Sequence, residues 1–176
     1  MNVKLAPIFF AVGLALSAAP MASAQESTNR VATNTAWSVF VENSPKECWV
    51  VSTPKETVNT KNGRPVSVNR GNILLMVSWR PEKNIAGEVY FTGGYPFKEG
   101  STVEVTIGDD TFQMFTKGDG AWPASPEEDA KFVAAMKRGR EAVVVAMSKR
   151  GTRTQDTFSL LGFTAAYEDA AKRCGG

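Results

Sequence analysis

From residue 36 onward the chain alternates in twos. In "AWSVFVEN" Trp37, Val39 and Val41 fall on one side of an extended chain and Ser38, Phe40 and Glu42 on the other, which predicts a half-buried strand. The turn at Asn43-Ser44-Pro45 leads into a second strand, "ECWVVS" (47–52). In "STVEVTI" (101–107) Val103, Val105 and Ile107 oppose Thr102, Glu104 and Thr106. Gly108-Asp109-Asp110 then turns the chain into "TFQMFT", a predicted hairpin. "GEVYFTG" (87–93) adds a strand before this pair, and "TFSLLGF" predicts a last strand after the turn around "SKRGTRTQD". Two runs break the alternation. "NILLMVSW" (72–79) and "EAVVVAM" (141–147) are almost continuously apolar, as expected of central strands covered on both faces. "TPKETVNTKNGRP" (53–65) is polar and turn-rich, with Asn62-Gly63 its sharpest bend, and predicts a loop.

The period changes to helical at "SPEEDAKFVAAMKRG" (125–139). Ser125 is placed to cap, Pro126 sits where a missing N–H costs nothing, and Glu128 completes a capping box. Glu127, Glu128 and Asp129 complement the positive end of the helix dipole, Lys137 and Arg138 the negative end, and Gly139 supplies the stop. Phe132, Val133 and Met136 form its apolar stripe, a face for the core. A second short helix is predicted over about Thr164 to Arg173, with Ala165, Ala166, Ala170 and Cys174 inward. Many short strands and two helices predict a mainly β fold, an antiparallel β-sandwich carrying two short α-helices, one at about 125–138 and one C-terminal.

The N-terminus follows a different rule. Lys4 precedes an apolar run from about Leu5 to Ala19, and Ala22-Ser23-Ala24 places small residues where a signal peptidase needs them. The run is shorter than a membrane span and is followed by Pro20, so a cleaved export signal, residues 1–24, is expected. Residues 25–35, "QESTNRVATNT", are polar without a period and are expected to be a flexible lead-in to one domain, 36–176. Removing 24 residues from 176 leaves 152, enough for a single core. It also leaves 19 Lys and Arg against 18 Asp and Glu, a balance that gives no reason to expect nucleic acid as a partner. The longest later apolar run, "ILLMV", is too short to cross a bilayer.

Export decides how the two cysteines are understood. In an oxidising compartment Cys48 and Cys174 are expected to form one disulfide that ties down the tail. The alternatives are a free thiol or an intermolecular pair. Metal binding is disfavoured because the chain has no histidine and no second thiolate pair.

Absent histidine also removes Ser-His and Cys-His nucleophilic systems, and no phosphate loop, G-x-G-x-x-G or C-x-x-C motif occurs. Asp109-Asp110 and Asp119 do not match a calcium loop, so no catalytic residue, cofactor or metal is expected. One pattern imitates penicillin-recognising serine enzymes: Ser52-x-x-Lys55, Ser67-x-Asn69 and Lys149-x-Gly151. That chemistry needs the serine at a helix start with the lysine one turn on, whereas Ser52 ends a strand and Pro54 intervenes. The remaining candidate is a partner-binding rim of Trp79, Arg80, Tyr95 and Phe97, with Lys83 and Lys98 beside it. In the alternative these aromatics plug the ends of the sandwich.

The mature chain resembles the invasion-associated locus B family of exported bacterial proteins along nearly its whole length. The resemblance rests on Trp37-x-Val39 and on the "C-x-V-x-S-x-P" from Cys48 to Pro54. It continues through "GYPFKEGSTVEVTIGDDTF", "GDGAWP", "AAMKRG" and "SKRGTRTQDTFSLLGFTAAYEDAAKRC". It implies an envelope protein, periplasmic or at the outer surface or secreted, with no catalytic residues to carry over, and it fits the Cys48–Cys174 pairing. The expected function is a non-catalytic interaction module whose partner is an envelope or host-surface protein or glycan, contributing to host-cell invasion or surface association. The alternatives are a structural or stress-related periplasmic protein without a dedicated ligand, and last a serine hydrolase.

Overall fold

The computed structural model describes residues 29–175; the expected export signal and the first residues of the lead-in lie outside them. The strands are β1 (Arg30–Asn34), β2 (Trp37–Asn43), β3 (Lys46–Ser52), β4 (Glu56–Lys61), β5 (Arg64–Pro65), β6 (Leu74–Arg80), β7 (Ile85–Thr92), β8 (Thr102–Ile107), β9 (Asp110–Lys117), β10 (Gly120–Trp122), β11 (Glu141–Met147) and β12 (Arg153–Ser159). Helix α1 spans Pro126–Arg138 and α2 spans Phe163–Cys174. All strands join one antiparallel sheet in the order β1-β2-β3-β6-β7-β10-β9-β8-β11-β12-β4-β5.

A sheet this long buries an apolar face only by folding over itself. Phe91 of β7 meets Phe158 of β12 edge to face at 6.1 Å, and the Trp37 indole donates to the Ser159 carbonyl at 3.0 Å. The result is a sandwich made from one sheet, its core running from Trp37, Val39 and Val50 through Leu75, Val77 and Val89 to Val103, Val144 and Phe158.

The expected strands are present, with four corrections. Part of the expected lead-in, 30–34, is strand β1, an edge held to β2 by its backbone ladder; its polar side chains hide it because an edge strand has little to bury. The expected loop 53–65 contains β4 and β5, joined by a two-residue hairpin at Asn62-Gly63 with φ of 51° and 74°. Here again the side chains face mostly solvent. The last strand starts at Arg153 rather than 157, because its inward positions Thr154 and Asp156 are polar. Finally, β6 and β11 are not covered on both faces: their residues alternate between buried and half-buried, leaving apolar side chains on an outer surface.

Helix α1 follows its signals. The Glu128 amide donates to the Ser125 hydroxyl at 3.4 Å, although the Glu128 carboxylate turns to Lys131 instead of closing the box. Phe132, Val133 and Met136 are buried, Phe132 against Phe112. Asp129 reaches further. Strand β10 covers β7 only at Phe91 and Thr92, and the Val89 amide beyond it donates to Asp129 Oδ1 at 2.8 Å. Burial pushes the Asp129 carboxyl up to about 6, helped by the charge of Glu88 and opposed by the Val89 hydrogen bond.

Helix α2 packs across β1, β2, β3 and β6. Phe163 sets its edge against Trp37 at 4.8 Å, and Tyr167 does so against Trp79 at 4.8 Å. Ala166 and Ala170 face the core, whereas Ala165 is exposed, one step off the expected inward stripe. Gly162, at φ 88°, starts the helix so close to the Asn34 carbonyl that a Cβ would overlap it. At the far end Cys174 is bonded to the fully buried Cys48, with Cα atoms 5.9 Å apart, as the sequence predicts.

Two outcomes are expected. Cys174→Ser lowers the melting temperature in thermal denaturation, and the stability lost is at most the roughly 5 kcal/mol that chain entropy allows for so long a loop. An unchanged melt would mean that packing alone holds α2. Asp129 has a raised carboxyl, so its contribution is fully present below the unfolded value and is lost as pH rises through about 6. The melting temperature of wild type relative to Asp129→Asn should therefore climb by a few degrees between pH 7.5 and 5. A pH-independent difference would refute this.

Candidate functional site

The four side chains of the predicted rim do not form one surface. Trp79 is only 2% exposed and Phe97 only 4%. Trp79 stands opposite Cys48 on the inner face of β6 and lies under Tyr167, while Phe97 packs between Phe91 and Tyr95. Both plug the core, which corrects their assignment to a partner surface. Arg80 and Tyr95 keep access to solvent, in two separate clefts. Arg80 pairs with Glu88 on the outer face of the sheet.

Tyr95 lines the larger cleft, of about 680 Å³, built by three segments far apart in sequence: 67–70, 94–96 and 148–154. Its base is an ion pair. Arg70 donates to both carboxylate oxygens of Asp156, at 2.7 and 2.6 Å, and the two side chains are 6% and 0% exposed. Arg70 Nε donates to the Gly93 carbonyl at 2.8 Å, its guanidinium reaches Asn59 Oδ1 at 3.3 Å, and it lies 5.0 Å from the centre of the Tyr95 ring. Desolvating two charges is costly, and this bidentate, multiply hydrogen-bonded geometry is what offsets that cost.

The walls are equally specific. The Gly71 amide donates to the Gly94 carbonyl at 2.9 Å, and a Cβ on Gly94 would stand 2.5 Å from the Gly71 oxygen. Only glycine lets these loops touch. The Tyr95 hydroxyl and Thr154 Oγ1 are 2.5 Å apart. Burial pushes the Tyr95 phenol up, against the lowering effects of Thr154 and Arg70, so it is neutral at physiological pH. Opposite, the Thr152 amide donates to Ser148 Oγ at 3.0 Å, shaping a turn that exposes Lys149 and Arg150.

The lining is therefore rich in hydroxyl and amide groups: Ser67, Asn69, Tyr95, Ser148, Thr152 and Thr154. Asp156 neutralises Arg70, and the cations left over, Lys149 and Arg150, are opposed by no carboxylate in the lining. Such a cleft suits an anionic group. It also gathers two parts of the serine-enzyme pattern, Ser67 with Asn69 and Lys149, but not the reactive part. Ser52 donates to the Thr53 carbonyl at 3.3 Å and Lys55 pairs with Glu141. Among the described residues no group of three or more His, Cys, Asp or Glu is arranged to hold a metal, and no helix is long and apolar enough to cross a membrane.

Residues 37–171 match the family model described as Invasion associated locus B (IalB) protein. The chain belongs to that family. The crystal structure of invasion associated protein b from Bartonella henselae is similar to it with a TM-score of 0.54 and 13% sequence identity, over 80% of this chain and 95% of that one. At that identity the likeness shows an IalB fold and nothing about ligands. No curated protein matches the chain.

Within this IalB fold, sequence reasoning missed Arg70, Ser148, Thr152, Thr154 and Asp156. One signal was available: "RTQDTFS" puts Thr154, Asp156 and Phe158 on the same side of a strand, so a charge takes a core position. Its partner is 86 residues away and could not be named. Asp156→Asn should destabilise the protein by about 3–5 kcal/mol, because it strands a buried guanidinium. Replacing the pair together, Arg70→Met with Asp156→Leu, should restore much of that in urea denaturation. A single variant as stable as wild type would show that water already solvates the pair.

Proposed function

We propose that this IalB-family chain is an exported, non-catalytic envelope module that binds an anionic group of an envelope or host-surface partner in the Arg70–Tyr95 cleft. The observation that carries the reading is the cleft's lining, which offers hydroxyl donors and two unopposed cations over a rigid, charge-neutral base. A site of this kind recognises and holds; it offers no activated nucleophile, since the Lys55 ammonium is engaged with Glu141. Export is supported by the disulfide, which joins a fully buried cysteine to the tail and belongs to an oxidising compartment. The family name and the named neighbour connect such proteins with invasion, so a contribution to host-cell invasion or surface association is part of the proposal.

The test is in-cell crosslinking of the tagged protein followed by mass spectrometry, comparing wild type with Lys149→Glu/Arg150→Glu. Both positions are exposed, so the variant should melt like wild type. One partner recovered reproducibly with wild type and lost with the variant is expected. Capture that ignores the charge reversal would move the site elsewhere. Recovery of abundant background alone would favour the structural reading.

A further inference from the structure

The outer face of the sheet carries aromatic side chains where a solvated sheet would carry polar ones. Phe40 of β2 and Trp49 of β3 are register partners, their rings parallel within 1° at 5.4 Å. Trp122 of β10 lies beside Tyr90 of β7 at 5.2 Å and stands opposite Phe115 of β9, which is 59% exposed. Across six adjacent strands this makes a stripe about 24 Å long.

The stripe is built, not incidental. Trp122 lies over Gly120, where any Cβ would overlap the indole and stand 2.8 Å from Tyr90 Cε2. Gly120 thus keeps a bare backbone on which the ring rests. Between Trp49 and the Tyr90–Trp122 pair the surface sinks into a cleft of about 370 Å³. Met76 and Ser78 of β6 lie between these walls, with Ser78 the register partner of both Trp49 and Glu88. Arg80, paired with Glu88, and Glu47 supply its charged groups. Arg80 Nε is buried and finds no hydrogen-bond partner among the described residues. Burial, with the charge of Asp119, pushes the Tyr90 phenol up, so a neutral hydroxyl is present there.

We infer that this cleft and its aromatic stripe are a binding platform for a neutral glycan chain. A pyranose ring has an apolar C–H face and a girdle of hydroxyls, and the cleft offers both complements. Aromatic faces, electron-rich at their centres, take the C–H face. A fixed carboxylate–guanidinium pair, a serine and a phenol take the hydroxyls, as small numbers of placed polar groups do in ligand sites generally. The charge distinguishes this ligand from others. Two carboxylates against one guanidinium repel phosphate-rich chains, and charged groups within the cleft disfavour an apolar helix, whose dry face would leave them unpaired. The platform lies apart from the Arg70–Tyr95 cleft and does not depend on its function.

The test is a titration of the full mature protein with four neutral tetrasaccharides, the cello-, chito-, manno- and maltotetraose, followed by the indole N–H resonances. The chain has four tryptophans. Trp37 and Trp79 are buried, so only the Trp49 and Trp122 signals should shift, saturably, with at least one probe. Trp122→Ala should weaken that binding at least tenfold, and Trp49→Ala, on the opposite wall, likewise. Two separate variants guard against loss of fold in one of them, and Lys149→Glu/Arg150→Glu should bind the probe as wild type does. Silence of all four probes at millimolar concentration overturns the inference, as does binding that survives both tryptophan variants. Concentration-dependent dimerisation abolished by Trp122→Ala would overturn it too, identifying the stripe as an interface between copies.

Discussion

The buried Arg70–Asp156 pair is the contact on which the arrangement of this fold depends. Asp156 belongs to β12, tenth of the twelve strands in sheet order, and Arg70 to the loop that leads from β5 to β6, the fourth. Through the Gly93 carbonyl and Asn59 the same guanidinium also touches the end of β7 and strand β4. A single long sheet has no intrinsic reason to close at a particular angle. A bidentate ion pair in a dry setting tolerates little variation in geometry, so it constrains how β4 and β12 sit against the entry to β6 and the end of β7. The cleft above it inherits that precision, because its base is made of the same atoms.

Helix α2 closes the sandwich at another place, by packing and by covalent bond. Gly162 brings the chain against β1, Phe163 and Tyr167 cover Trp37 and Trp79, and the disulfide fixes the last turn to β3. This explains why Trp79 cannot serve a partner. Its exposure in an isolated hairpin is cancelled by a helix that follows much later in the chain. The two tryptophans that α2 covers, Trp37 and Trp79, are core; the two it does not, Trp49 and Trp122, remain half-buried on the other side of the sheet.

The fold therefore separates two surfaces of different chemistry. One is a hydroxyl-lined cleft with unopposed cations, formed where loops from three segments converge. The other is an aromatic trough with a slight excess of carboxylates, laid out on regular strands. Loops give the first its shape and the sheet pleat gives the second its spacing. A partner carrying both an anionic group and sugar rings could engage both, and one carrying either alone would distinguish them.

Much of this molecule is legible in the amino-acid sequence through local physics alone. Alternation marks β2 and β8, capping chemistry and charge order mark α1, and the cysteine count, taken with an N-terminus that reads as an export signal, marks the disulfide. These signals depend on neighbours a few residues apart, or on the compartment. Four features needed the tertiary structure. Strands β1 and β4 lie at or near edges and bury little, so no period betrays them. The apolar run of β6 reads as doubly covered, because composition reports that a side chain is apolar and not whether anything packs on it. The Arg70–Asp156 pair joins residues 86 apart. The aromatic stripe takes its rings from five of six neighbouring strands, whose adjacency follows from register and sheet order alone. Period and cap are written locally in the chain, whereas partner choice across the sheet, and so which faces remain uncovered, is decided only when the whole sheet has folded over its core.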